Sequence, residues 1–181
     1  MATELKASIK GLDKLAKKLA RLKRPVTRSE ADSIGQSAVA TMKEMISKGL
    51  SPISGPDIRQ RFAPYKWASA KKSERSGKYP WSKMKQYPGK KVTPVNLKLS
   101  GGQLDDLAYE VKELAGGGTG VEIGYDDEQA IKQESGHREG VNGQASRPTI
   151  PVPKNGERFA TKVEQAYLRI LNAAIKKIID S

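Results

Sequence analysis

Between residues 50 and 94 the regular spacing of apolar residues disappears, while Pro52, Pro56, Pro64, Pro80, Pro88 and Pro94 recur among glycines, lysines and most of the aromatics. Proline fixes φ and has no amide N–H, so such a stretch does not run as one long helix or as an interior strand. A connection of that length is either functional or mobile. The expectation is an exposed loop or arm, with short helical turns at most near 57–62 and 67–72. Regular structure must come from either side of it. That makes one domain of residues 1–181, with 50–94 inserted as a basic arm.

The charge of the arm narrows its partners. The 181 residues carry 33 Lys and Arg against 20 Asp and Glu, a net +13. Residues 1–47 hold ten basic and five acidic side chains, 48–98 thirteen and two, 99–135 two and nine, and 136–181 eight and four. A block of +11 therefore precedes one of −7, an asymmetry that steers partners, including copies of the same chain. With 36% apolar and 29% charged residues, the chain is polar for a globular domain but too apolar to be disordered throughout. It has no cysteine, so disulfides, thiolate metal sites and a cysteine nucleophile are excluded. No apolar run approaches the roughly 20 residues that span a bilayer, and the N-terminus lacks the apolar core of a signal peptide. A soluble protein made in the cytoplasm, with no membrane partner, is expected.

Outside the arm the periodicities are legible. Ile9, Leu12, Leu15, Leu19 and Leu22 predict an amphipathic helix that Pro25 ends. Thr27 and Glu30 form a capping-box signature for a second helix, whose apolar face is Ala31, Ile34, Ala38, Met42, Met45 and Ile46. Gly49 is placed to close it in a left-handed cap. Regular structure resumes at 95–99, and a turn at Ser100-Gly101-Gly102 leads into a short helical stretch through Leu107. Tyr109 and Val111, then Val121, Ile123 and Tyr125, alternate on either side of Gly116-Gly117-Gly118, the pattern of two antiparallel strands. A short helix over 126–135 with Asp126 as cap, a loop over 136–147 and an extended edge segment over 148–153 follow. Phe159, Val163, Ala166, Ile170, Leu171, Ala174 and Ile178 mark the last helix. The fold class is α+β: a small antiparallel sheet against N- and C-terminal helices, with the sheet of 95–125 in the core.

No catalytic constellation emerges. His137, the single histidine, lies in the polar run Ser135-Gly136-His137-Arg138-Glu139-Gly140 and reads as an exposed loop residue rather than a base. Asp126, Asp127 and Glu128 lack the alternating ligands of a calcium loop and read as helix-capping residues. Gly116-Gly117-Gly118-Thr119-Gly120 lacks the following lysine of a nucleotide-binding loop. Asp105/Asp106 and Glu110/Glu113 show no sign of a shared buried setting. Neither a metal nor a cofactor is expected, and the chain reads as non-enzymatic.

The arm is where partner contacts are expected. Arg59, Arg61, Lys66, Lys71, Lys72, Arg75, Lys78, Lys83, Lys85, Lys90 and Lys91 are interleaved with Phe62, Tyr65, Trp67, Tyr79, Trp81 and Tyr87. Such interleaving serves phosphate contact with base stacking, or packing on a neighbouring protein with the lysines solvated or meeting its acids. Protein contact is favoured, because no recognised nucleic-acid module is present. Asp105, Asp106, Asp126, Asp127 and Glu128 are the acids expected to meet the arm of a neighbouring copy.

The order of these features resembles the minor tail and tail-completion proteins of long-tailed bacteriophages. Ile9-Lys10-Gly11-Leu12-Asp13-Lys14-Leu15 comes first, then Lys48-Gly49-Leu50-Ser51-Pro52, then Asn96-Leu97-Lys98-Leu99-Ser100-Gly101-Gly102-Gln103-Leu104. Gly120-Val121-Glu122-Ile123-Gly124-Tyr125, Gln133-Glu134-Ser135-Gly136, Ser146-Arg147-Pro148 and the closing helix complete it. The resemblance implies a small α+β protomer of a homo-oligomeric ring, usually of six copies, at the head-proximal end of the tail or in the neck of the virion. It would complete the tail and help join it to the head, between tail-tube proteins and neck or head–tail connector proteins, with genome DNA near its lumen.

Overall fold

In a computed structural model the chain is described over residues 16–22, 26–62, 102–115, 118–139 and 146–180. A helical segment, α1, covers residues 16–22. The long helix α2 (Arg28–Ser47) is followed by the two-residue strand β1 (Ile53–Ser54). The single turn α3 (Gly102–Asp105) leads into β2 (Leu107–Glu113) and β3 (Thr119–Tyr125). Helix α4 (Glu128–Glu139), strand β4 (Arg158–Phe159) and helix α5 (Thr161–Asp180) complete the order. This is an α+β arrangement, with its strands in two separate two-stranded antiparallel sheets.

Local chemistry fixes α2 at both ends. Thr27 Oγ1 accepts the Glu30 N–H at 3.2 Å while Glu30 Oε2 accepts the Thr27 N–H at 3.0 Å, so two otherwise orphaned donors are satisfied. At the other end Gly49 sits at φ 75°, where a side chain would clash with its own backbone. Helix α5 lies antiparallel to α2, as ion pairs at both ends require: Lys162 to Glu44 at 2.9 Å and Lys177 to Glu30 at 3.5 Å.

The β2–β3 hairpin covers the same core. Its register sets Leu107 opposite Tyr125, Tyr109 opposite Ile123 and Val111 opposite Val121, with Leu107 and Tyr125 buried against Ala38, Val39, Met42, Met45, Ala130 and Val163. Close approach needs Gly35, because a Cβ there would lie 2.2 Å from the Tyr109 ring, whose hydroxyl donates to Asp32 at 2.9 Å. On the outer face Glu110 stands opposite Glu122, a repulsive pairing that Lys112 relieves by bonding both carboxylates.

Three expectations are corrected. Residues 50–62 do not begin an exposed arm, and 57–62 is not helical: Ser51, Pro52 and Ile53 are buried, and Phe62 joins Ile46 and Leu104 in a second small core. The backbone folds back through the Leu50–Arg61 bridge and the Ser51 N–H to the Gln60 carbonyl at 2.8 Å, while β1 pairs with β4. The helix after β3 is capped by Asp127 rather than Asp126, its Oδ2 accepting the Ala130 N–H at 2.9 Å, and it extends through His137, which was expected in a loop. Residues 148–153 form no edge strand, because the Glu134 and Glu157 side chains take their donors. The N-terminal stripe before residue 16, the 67–72 turn and the 95–99 segment lie outside the described residues.

Candidate functional site

Arg147-Pro148-Thr149 separates two polar clusters of opposite character. Inward from Thr149, Glu134 projects from α4 with its side chain buried. Its Oε1 accepts the N–H groups of Thr149 at 2.7 Å and Ile150 at 3.1 Å, and its Oε2 accepts the Thr149 hydroxyl at 2.6 Å. Thr149 has spent its one hydroxyl hydrogen on Glu134, so the 2.6 Å contact with Tyr125 must have the tyrosine as donor. The result is a buried relay from Tyr125 through Thr149 to Glu134, in which one carboxylate satisfies the donors of a segment that has no sheet partner.

A second carboxylate extends the cluster. Arg138, one turn after Glu134, donates through Nη1 to Glu157 at 2.9 and 2.8 Å and through Nη2 to the Ile150 carbonyl. Glu157 Oε2 also accepts the Val152 N–H at 2.8 Å. Burial alone would raise the Glu157 pKa, but the Arg138 and Val152 hydrogen bonds outweigh it and hold the group below the ordinary carboxylate value. His137 lies alongside, half-buried rather than exposed, and its Nδ1 is buried with no hydrogen-bond partner among the described residues. Burial, reinforced by the Arg147 charge, lowers its pKa to about 4, so the ring is neutral near pH 7.

Outward from Arg147 lies a shallow notch of about 10 Å³ lined by Ser51, Asp57, Ile58, Arg59, Arg61, Phe62, Ser146, Arg147 and Pro148. Arg59 and Arg61, both expected as partner contacts, are brought together here on the returning strand of the 50–62 excursion. Arg147, 2% exposed, forms the facing wall. Among the described residues no side chain pairs with Arg59 or Arg61, and Asp57 is the one acid of the lining. The other arm residues proposed as contacts, Tyr65, Trp67, Lys71, Lys72, Arg75, Lys78, Trp81, Lys83, Lys85, Lys90 and Lys91, lie outside the described residues.

The five acids expected between subunits divide. Asp127 is occupied in capping α4, and Glu128 pairs with Lys132 at 2.7 Å on the same helix. Asp105 and Asp126 are exposed and Asp106 half-exposed, with no side-chain partner among the described residues. Among the described residues no three His, Asp or Glu side chains are grouped to hold a metal ion, and no helix is long and apolar enough to cross a membrane. Sequence reasoning gave Glu134, Arg138, Thr149 and Glu157 no role. The one available signal was the four-residue step from Glu134 to Arg138. No family model matches the chain, and no curated protein and no solved structure is detectably similar to it.

Proposed function

We propose that this chain is a structural virion protein at the head-proximal end of a phage tail or in its neck, one subunit of a ring that completes the tail and helps join it to the head. The observation that carries the reading is the meeting of two elements of the resemblance that are distant in sequence: Glu134 of Gln133-Glu134-Ser135-Gly136 holds the backbone just beyond Arg147-Pro148. The surface is in keeping with a protomer that completes its burial against neighbours. Leu19, Leu114, Ile131 and Ile179 are each half exposed or more, and the acids of α3 and the β3–α4 turn face solvent in a protein of net +13.

Light scattering across a concentration series, with electron microscopy of particles labelled on this chain, tests the proposal. A ring of fixed stoichiometry at one end of the tail is expected. A monomer at every concentration that is absent from particles contradicts it. The alternative function, nucleic-acid binding without sequence preference, is favoured by the open arginines of the notch. It requires affinity for DNA that falls linearly with salt on logarithmic axes.

A further inference from the structure

Helix α1 carries its apolar stripe on the outside. Leu19 is 54% and Leu22 38% exposed, and the sequence continues the same stripe back through Leu15, Leu12 and Ile9. A polar contact fixes α1 to the end of α5, where Lys18 Nζ donates to the Ile179 carbonyl at 3.0 Å. The remaining polar side of α1 is basic, with Lys17 and Arg21 exposed. So short a helix is stable only when its stripe is covered, and its own domain leaves Leu19 and Leu22 open.

The matching surface lies at the other end of α2. Helix α1 precedes the N-terminus of α2, where Glu30 meets Lys177. The turn α3 sits by its C-terminus: Leu104 clusters with Ile46, and Lys43 Nζ donates to the Asp105 carbonyl at 3.3 Å. Asp106 and Asp126 flank the paired Leu107 and Tyr125 at that end of the hairpin. Ile131, 50% exposed, stands one turn beyond Asp127 on α4. Asp105, Asp106 and Asp126 have no side-chain partner among the described residues. An apolar residue among acids thus faces one end, and an apolar stripe among bases faces the other, a pairing matched in sign and polarity.

One chain cannot make this contact with itself. The 20 residues of α2 set its two ends about 30 Å apart, and α1 is held at Ile179. A contact between unlike faces at opposite ends of a molecule is head-to-tail, and it closes into a ring where the rotation between copies allows.

We propose that α1 of one copy docks on the α3–α4 face of the next, with Leu19 and Leu22 covering Ile131 and the basic residues of α1 drawn to Asp105, Asp106 and Asp126. The proposal rests on the ring reading and names the faces that build it.

Sedimentation velocity of the full chain and of two variants, Leu19→Gln/Leu22→Gln at one end and Asp126→Asn/Ile131→Gln at the other, tests it. All four residues are exposed, so urea midpoints should stay at the parent value. Each variant alone is expected to self-associate at least about tenfold more weakly than the parent chain. Their equimolar mixture should give a dimer and nothing larger, because each variant brings one intact face of the opposite kind. A parent chain that associates while either variant keeps its strength, or a mixture without the dimer, overturns this contact and leaves the ring reading standing. A parent chain that is monomeric at every concentration overturns both. Binding of that monomer to vesicles of anionic phospholipid, lost in Leu19→Gln/Leu22→Gln, would then reassign the stripe to a lipid surface.

Discussion

The two clusters on either side of Arg147-Pro148-Thr149 are both rich in charge, yet they differ in what the charge is for. Inward, Glu134 and Glu157 are largely removed from water, and their oxygens accept from Thr149, Ile150, Val152 and Arg138. Outward, Arg59 and Arg61 are exposed and form no ion pair with an acid among the described residues. A buried charge is tolerated only when its partners are in place, so the inner cluster belongs to folding. Exposed charges such as Arg59 and Arg61 add little to folding. The contrast teaches that the same residue types must be read through burial and partners before a role is assigned.

That division is open to breakage, most forcefully at Glu134. Replacing Glu134 with Ala strands the Thr149 and Ile150 N–H groups and the Thr149 hydroxyl in a buried setting, and the expected loss in urea unfolding is about 4 kcal/mol. A loss below about 1 kcal/mol would move the cluster out of the folding category.

The pH dependence comes next. His137 has its folded pKa lowered to about 4 from 6.5, so as pH falls below 6.5 the unfolded chain takes up a proton that the folded chain refuses. The contribution is whole above pH 6.5 and is lost progressively down to about pH 4, amounting to about 3 kcal/mol. Glu157, Glu44 and Glu30, all lowered from 4.5, lose their contributions only as pH falls below that value. Between pH 6.5 and 4.5 the slope thus belongs to His137, and His137→Gln should flatten it in urea midpoints measured across that window. An unchanged slope would show that the ring is not held neutral by its burial.

Gly35→Ala gives an apolar yardstick. Its Cβ would overlap the Tyr109 ring, so the ring must swing away from the helix, at about 2 kcal/mol in the same unfolding measurement. At the bottom of the scale, Arg59→Gln/Arg61→Gln should change stability by less than about 0.5 kcal/mol. A larger loss there would place the notch with the folding cluster and erase the contrast.

How far the sequence foretold this depends on the range of the interactions. The Thr27–Glu30 capping box, the Gly49 cap, the β2–β3 alternation and the face of α5 are set within a few residues, and each is legible without tertiary information. The fold-back of residues 50–62 is not. A two-residue strand such as Ile53–Ser54 carries no period, and its partner at Arg158–Phe159 lies at the far end of the chain. The Glu134 cluster escaped for the same reason, since nothing near Glu134 announces that the donors it must satisfy belong to residues 149 and 150. The basic composition of the arm singled out Arg59 and Arg61, but it gave no sign that they share a notch with Arg147.

The functional account stands or falls on self-association through faces of opposite charge. Sedimentation velocity of the full chain over a concentration series at two salt concentrations tests this most directly. The account predicts one closed species of fixed stoichiometry that gives way to monomer as salt rises. A monomer at all concentrations in low salt would contradict it.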